Sequence, residues 1–293
     1  MTERALVAAQ PTRTRTKKMM KLGYSEFSFG YAFTENLIRS TARPTGAPVF
    51  LNTFQEGQRG FDVQIDFPGR PLYFQYKLPE LMVRNSAAEI TKHSLSGLTI
   101  PFFRMYLMRS NLSTQHQKLI ELENGSPNAV FYAAPGMKDL DAFNDAYNSA
   151  KVHCRSVFFS PKEIGPLPDD KQHVIAYNSA LNQAWLPSEP REVAALQCKD
   201  IEVLVRLSFE EPRYRTLEAA VRSIREQMLP LVPSRIRAAQ EDIWERVRMR
   251  RTGLSDHMDI DAATQHVVEE ILVYREIARV GLGLDLVIAQ PPA

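Results

Sequence analysis

The chain has 293 residues, of which 44% are hydrophobic and 24% are charged, and its formal net charge is +2. These values are ordinary for a globular protein of one large or two modest domains, and so small a charge indicates no class of partner. No apolar run approaches the roughly 20 residues of a membrane span, which excludes a membrane-spanning protein. The two cysteines, Cys154 and Cys198, form no Cys-x-x-Cys pattern and suggest a reducing compartment, so we expect a cytoplasmic location.

The first part of the chain begins with a polar, basic stretch, which we expect to form a flexible arm over residues 1–20. A helix is predicted over 24–41, where Phe33, Leu37 and Ile38 have helical spacing and Ser25 is a partial N-terminal cap with Ser28. Strands are predicted to follow at 48–54, 60–67 and 71–78.

The middle of the chain alternates between helical and strand patterns. After a mixed segment over 79–112 with a short helix near 80–92, the pattern predicts two more helices and three short strands. The helices are at 113–123 and near 138–150, and the strands are at 129–134, 156–159 and 173–177. This alternation favours parallel strands added to the sheet of the preceding strands.

Beyond residue 190 the sequence becomes mostly helical. A strand-like run at 201–209 precedes predicted helices, and a last strand is predicted at 284–288. The helices are expected at 217–229, 235–250 and 262–280. We therefore divide the chain into an arm at 1–20, an α/β domain at 21–190 and a mostly helical region at 191–293.

Residues 60–78 carry the strongest functional signal, because two alternating strands are joined there by a Pro-Gly turn. In the predicted hairpin Gln64 lies opposite Gln75 and Asp62 opposite Lys77, with Cβ atoms about 5 Å apart. A carboxylate, a carboxamide and an amine would then share one side of the hairpin. A plain solvated sheet face, with Asp62 and Lys77 as a cross-strand ion pair, is the alternative.

This set of side chains suits phosphodiester hydrolysis. Mg²⁺ (or Mn²⁺) polarises a phosphate and activates water, and it prefers oxygen ligands such as Asp62 and the Gln75 carbonyl. Glu35, on the preceding helix, adds a second carboxylate, and Lys77 orients the nucleophile or neutralises developing charge. His116, on the helix after the sheet, either faces this site or lies on an exposed helix face.

The order of these residues resembles the PD-(D/E)XK, or restriction-endonuclease-like, nuclease superfamily. The matching pieces are Glu35 on a helix, Phe61-Asp62 on a strand and Gln75-Tyr76-Lys77 on its partner, followed by a helix and a parallel strand, within about 24–160. Glutamine replaces the more common glutamate, and the insertion at 79–112 departs from the pattern. The resemblance implies a mixed central sheet flanked by helices and a metal-dependent nuclease whose site holds Asp62, Gln75 and Lys77.

We therefore expect an enzyme that cleaves nucleic acid, DNA rather than RNA, in a setting that resembles prokaryotic defence against phage or plasmids. One alternative is an inactive nuclease-like fold that binds nucleic acid or protein as a subunit of a defence complex. Another is an interaction protein without a nucleic-acid role. Apolar stripes must be buried either in the chain or in a second copy, so a homodimer through part of 215–280 is also predicted. The stripes comprise Leu217, Val221, Ile224 and Met228 on one helix, and Val267, Ile271 and Tyr274 on another.

Overall fold

The computed structural model describes residues 21–39, 68–93, 95, 97–252 and 262–291. Its strands are β1 (Arg70–Tyr76), β2 (Glu80–Met82), β3 (Phe102–Tyr106), β4 (Val130–Pro135), β5 (Ser156–Phe159), β6 (Val174–Asn178), β7 (Ala184–Leu186), β8 (Arg191–Val193) and β9 (Asp285–Ala289). Its helices are α1 (Glu26–Arg39), α2 (Ala88–Thr91), α3 (Gln115–Gly125), α4 (Leu140–Asn148), α5 (Pro161–Ile164), α6 (Cys198–Ser208), α7 (Leu217–Met228), α8 (Ser234–Ala238), α9 (Gln240–Thr252) and α10 (Ala262–Leu282). The chain is thus mixed α/β.

The strands form two sheets. The first has the order β5-β4-β1-β9, and the second has the order β2-β3-β6-β7-β8. In the first sheet β1 pairs in parallel with β4, whereas β5 and β9 run antiparallel to their neighbours. Every pairing in the second sheet is antiparallel.

Strand β1 is buried on both faces of the first sheet. Leu72 and Phe74 point to one face, where they pack with Phe29 and Phe33 of α1. Tyr73 points to the other face, into a second cluster that contains parts of α3, α7 and α10 and of the second sheet. Because successive side chains of a strand point to opposite faces, Gln75 and Lys77 share the face of Tyr73.

The apolar stripes of the C-terminal helices are covered within one chain. Leu217, Val221, Ile224 and Met228 of α7 are all buried, as are Val267 and Tyr274 of α10, while Ile271 packs against the same cluster. The need to bury these stripes therefore gives no reason for a second copy. The last strand of the chain, β9, pairs with β1, so the C-terminal region also contributes to the first sheet.

Several elements follow the local sequence pattern. The helix predicted over 24–41 is α1, and its Ser25 hydroxyl accepts a 3.0 Å hydrogen bond from the Ser28 amide, as expected of the cap. Strand β5 has the predicted bounds, and β4 lies within one residue of its own. The predictions for the strands at 48–54 and 60–67 and for the arm at 1–20 lie outside the described residues.

Two predictions of secondary structure and pairing were wrong. The run at 201–209, predicted as a strand, belongs to α6, since Ile201 is buried one turn from partly buried Val205 while Val203 is exposed. The short helix predicted near 80–92 is present as α2, and it follows strand β2, which pairs with β3. Of the strands expected to extend the sheet in parallel, only β4 does so, because β5 runs antiparallel and β6 belongs to the second sheet.

Candidate functional site

The structure brings Gln75 and Lys77 together at the end of β1. Gln75 is the register partner of Tyr132 on β4, and the Lys77 amide donates a 3.0 Å hydrogen bond to the carbonyl of Ala133. The ammonium nitrogen of Lys77 lies 5.9 Å from the centre of the Tyr132 ring. Gln75 and Lys77 are thus both placed by the backbone pairing of this segment with β4.

The Gln75 carboxamide is a buried polar group on this face. The side chain is only 6% exposed, and its Oε1 atom has no hydrogen-bond partner among the described residues. A buried carbonyl oxygen without a partner costs about 1–3 kcal/mol, so a group that satisfies it would be stabilising. This oxygen is suited to accept a hydrogen bond from water or to bind a hard cation.

Lys77 is partly buried on the same face of the strand as this oxygen. Burial lowers the pKa of its ammonium group, because a low dielectric disfavours the charged form, and the nearby Glu26 carboxylate opposes that shift. Glu26 also accepts a 3.2 Å hydrogen bond from the Leu78 amide. The start of α1 therefore places one exposed carboxylate near the lysine.

His116, at the start of α3, is buried behind the Tyr132 ring. Its Nε2 atom lies 2.8 Å from the carbonyl of Gly165, which can only accept, so Nε2 carries the proton. Burial lowers the pKa of the imidazole, and in its neutral form Nδ1 accepts the 2.8 Å hydrogen bond from the Tyr132 hydroxyl. Both ring nitrogens are thus engaged, and His116 orients Tyr132.

The neighbours of β1 among the described residues are β4 and β9. Asp62 and the strand at 60–67 lie outside the described residues. The antiparallel neighbour of β1 over Arg70–Phe74 is β9, while β4 pairs with the other edge. Strand β1 is thus paired on both of its edges by described strands.

Glu35 is not brought to the same place as Gln75 and Lys77. Helix α1 packs on the Phe74 face of the sheet, opposite to the face of Gln75. The Glu35 carboxylate forms a 3.3 Å ion pair with Arg39 and accepts a 2.7 Å hydrogen bond from the Asn36 amide group. Its charge is therefore satisfied locally on α1.

A cleft of about 310 Å³ lies next to the start of α3. It is lined by Gln115 and Lys118 of α3, by Leu282 at the end of α10 and by Gly283 directly after it. The Gln115 side chain donates a 2.8 Å hydrogen bond to the Leu282 carbonyl. Neither Gln75 nor Lys77 lines it. We therefore build the candidate site on the polar side chains of β1 rather than on this cleft.

A second group of chemically reactive side chains was missed from the sequence. His153, Cys154 and Cys198 lie together, with ligand atoms within 4.8 Å of one another. In the sequence the two cysteines form no metal-binding pattern, because they are widely separated. The adjacency of His153 and Cys154 was the only local signal.

Comparison with known proteins finds no matching family model, no matching curated protein and no matching solved structure. Among the described residues, no helix has the length and apolar character needed to cross a bilayer. The function must therefore be argued from the site itself.

Proposed function

We propose that this protein is a metal-dependent nuclease that hydrolyses phosphodiester bonds, with DNA as the favoured substrate and Gln75 and Lys77 in its site. The observation that carries the proposal is the buried, unpartnered Oε1 atom of Gln75 on the same strand face as Lys77. A buried oxygen without a partner, on the same strand face as an ammonium group, suits a site that binds both a cation and a phosphate.

The order of elements around the site supports a restriction-endonuclease-like architecture. The Gln-x-Lys strand β1 is followed, after β2, α2 and β3, by helix α3 and then by β4, which pairs with β1 in parallel. This is the order that the resemblance to the PD-(D/E)XK superfamily implies. The described part of the chain also has a helix before β1, as the resemblance implies.

The chemistry assigns a separate task to each side chain. A bound Mg²⁺ or Mn²⁺ ion would polarise the phosphate and lower the pKa of the attacking water. Gln75 Oε1 would be one oxygen ligand of this ion, and the resemblance implies Asp62 as the carboxylate ligand. Lys77 is positioned to stabilise negative charge on the phosphate, an effect that its partial burial strengthens.

One observation favours a second function. In this alternative the protein is an inactive nuclease-like subunit that binds nucleic acid or a protein of a defence complex. The strand beside β1 is β9, and its Asp285 is the register partner of Phe74, so its carboxylate points to the face opposite to Gln75. Catalysis requires a carboxylate from elsewhere in the chain, whereas binding does not.

Cleavage assays on the full chain distinguish these functions. Wild type, Lys77→Ala and a matched control, Lys92→Ala on an exposed site, are incubated with plasmid or single-stranded DNA and Mg²⁺ or Mn²⁺. Wild type and Lys92→Ala should cleave, and Lys77→Ala should be slower by about 10²–10³-fold, the usual loss for one electrostatic stabiliser. Equal cleavage by wild type and Lys77→Ala would contradict the proposed site.

DNA binding provides the other arm of the experiment. A chain that binds DNA with strong salt dependence but does not cleave it with either metal would support the inactive subunit instead. Thermal melts of all variants should coincide, which shows that any loss of cleavage or DNA binding comes from the site and not from unfolding.

A further inference from the structure

The His153–Cys154–Cys198 group lies where the first sheet meets α6. His153 and Cys154 belong to a 3₁₀ turn, His153–Arg155, directly before β5, and Cys198 is the first residue of α6. The Cys154 Sγ atom lies 3.3 Å from His153 Nε2, and all three ligand atoms lie within 4.8 Å of one another. Two thiols and an imidazole nitrogen thus converge on one point.

Backbone hydrogen bonds determine this approach. Phe158 and Leu196 form a two-way bridge, with the Phe158 amide donating at 2.9 Å and the Leu196 amide donating back at 3.0 Å. Directly after Leu196, the Gln197 amide donates a 2.8 Å hydrogen bond to the Asp200 carboxylate, which caps α6. The segment that carries Cys198 is therefore held beside the segment that carries Cys154.

The surrounding side chains orient the donors. The His153 ring is 4% exposed and packs edge-on against Phe33, with ring centres 6.5 Å apart and planes at 89°. Cys154 is exposed, so the group is reachable from solvent. Glu202 is one turn beyond Cys198 on α6, and its Oε1 atom accepts a 3.5 Å hydrogen bond from the Cys198 thiol.

We propose that His153 Nε2, Cys154 Sγ and Cys198 Sγ form a zinc site, with the Glu202 carboxylate as the fourth donor. Thiolate and imidazole ligands select Zn²⁺ over the Mg²⁺ expected at an all-oxygen site. Zn–S bonds of about 2.3 Å and Zn–N bonds of about 2.0 Å place tetrahedral donors roughly 3.5 Å apart, close to the observed His153–Cys154 distance.

Zinc binding would join two parts of the fold. The three donors His153, Cys154 and Cys198 need to close by only about 1 Å, since none of their ligand atoms are more than 4.8 Å apart. The Glu202 carboxylate already lies 3.5 Å from the Cys198 thiol. Both thiols lose their protons to solvent as the metal binds. The ion would then link the turn before β5 to the N-terminus of α6, independently of the proposed nuclease site on β1.

Cobalt titration of the reduced full-length chain tests the site. Co²⁺ bound by two thiolates in a tetrahedral site gives an intense sulfur-to-metal charge-transfer band and strong visible bands. Wild type should bind one Co²⁺ per chain with these bands, and Zn²⁺ should displace it. Loss of a residue that only hydrogen-bonds to a metal ligand weakens metal affinity by about 10–100-fold. Loss of a ligand itself should cost more, so Cys154→Ser and Cys198→Ser should each weaken Co²⁺ binding by more than about 100-fold.

Glu202→Gln should weaken binding, while Glu210→Gln, a matched exposed change just beyond the same helix, should not. Unchanged affinity in Glu202→Gln would overturn the four-donor assignment. Absence of the charge-transfer band in the reduced wild type, or its persistence in Cys198→Ser, would overturn the site itself. Formation of a Cys154–Cys198 disulfide on oxidation, in a chain whose reduced form binds no metal, would also overturn it. Circular dichroism of each serine variant establishes that the fold is retained.

Discussion

The hydroxyl of Tyr76 donates a 2.9 Å hydrogen bond to the Asp285 carboxylate, and the two residues lie 209 positions apart in sequence. The Thr34 hydroxyl donates to the same oxygen at 2.8 Å, and Arg275 lies 3.4 Å from the other oxygen. These contacts join α1, β1, α10 and β9 on a largely apolar face. They hold the last strand at the edge of β1 where the sequence predicted residues 60–67.

Removal of the Asp285 carboxylate should therefore destabilise the whole fold. Asp285→Ala leaves two hydroxyls and a guanidinium group without their acceptor, so the free energy of unfolding should fall by about 3 kcal/mol. Asp145→Ala, at an exposed position on α4, should change it by less than about 0.5 kcal/mol. Urea denaturation measures both, and equal effects in the two variants would show that the Asp285 contacts contribute little.

The stability of the protein should depend on pH through His116. Burial lowers the pKa of this imidazole below its usual 6.5, so the unfolded chain takes up the proton first as the pH falls. The contribution of neutral His116 is complete above pH 6.5 and is lost progressively as the pH falls from there to the folded pKa. The slope from this one group is at most about 1.4 kcal/mol per pH unit.

Denaturation curves measured between pH 5 and 7.5 test this dependence of stability on pH. The range spans about one unit on each side of the usual histidine pKa. His116→Gln keeps a donor and an acceptor for Gly165 and Tyr132 but cannot titrate, so its stability should vary less with pH than that of wild type. His93→Gln, on the loop after α2, serves as the matched control. A pH profile that is the same in His116→Gln and wild type would contradict the prediction.

Because the apolar stripe of α7 is buried within one chain, we expect effects on stability and none on assembly. Ile224 is 1% exposed, so Ile224→Ala should lower the free energy of unfolding by about 2–5 kcal/mol, whereas Leu207→Ala, at 68% exposure, should have little effect. The unfolding midpoint should not depend on protein concentration. A midpoint that rises with concentration would instead favour the homodimer predicted from the sequence.

Much of the secondary structure was predictable because it follows from local patterns. The helical spacing of Phe33 and Leu37, the Ser25 cap and the short apolar run of β5 each reflect interactions within a few residues. The run at 201–209 resembles a strand in sequence because Ile and Val favour strands. Its capping residue and the burial of one face instead make it the helix α6.

The candidate site was predictable only in part. The alternation along β1 predicts that Gln75 and Lys77 share one face, because strand geometry alone sets which side chains share a face. The neighbours of that face come from α3 and β4, and Glu35 lies on a helix that packs against the other side. The His153–Cys154–Cys198 group could not be predicted, since its members meet only through the bridge between Phe158 and Leu196.

The sequence by itself determined where most helices and strands form and which of their faces are apolar. Tertiary structure alone decided which strand lies beside β1, because an alternating strand can pair with any free edge whose faces match. That choice depends on contacts between distant residues, such as Tyr76 with Asp285. The energy of such contacts is set by how the completed core excludes water, which no local pattern encodes.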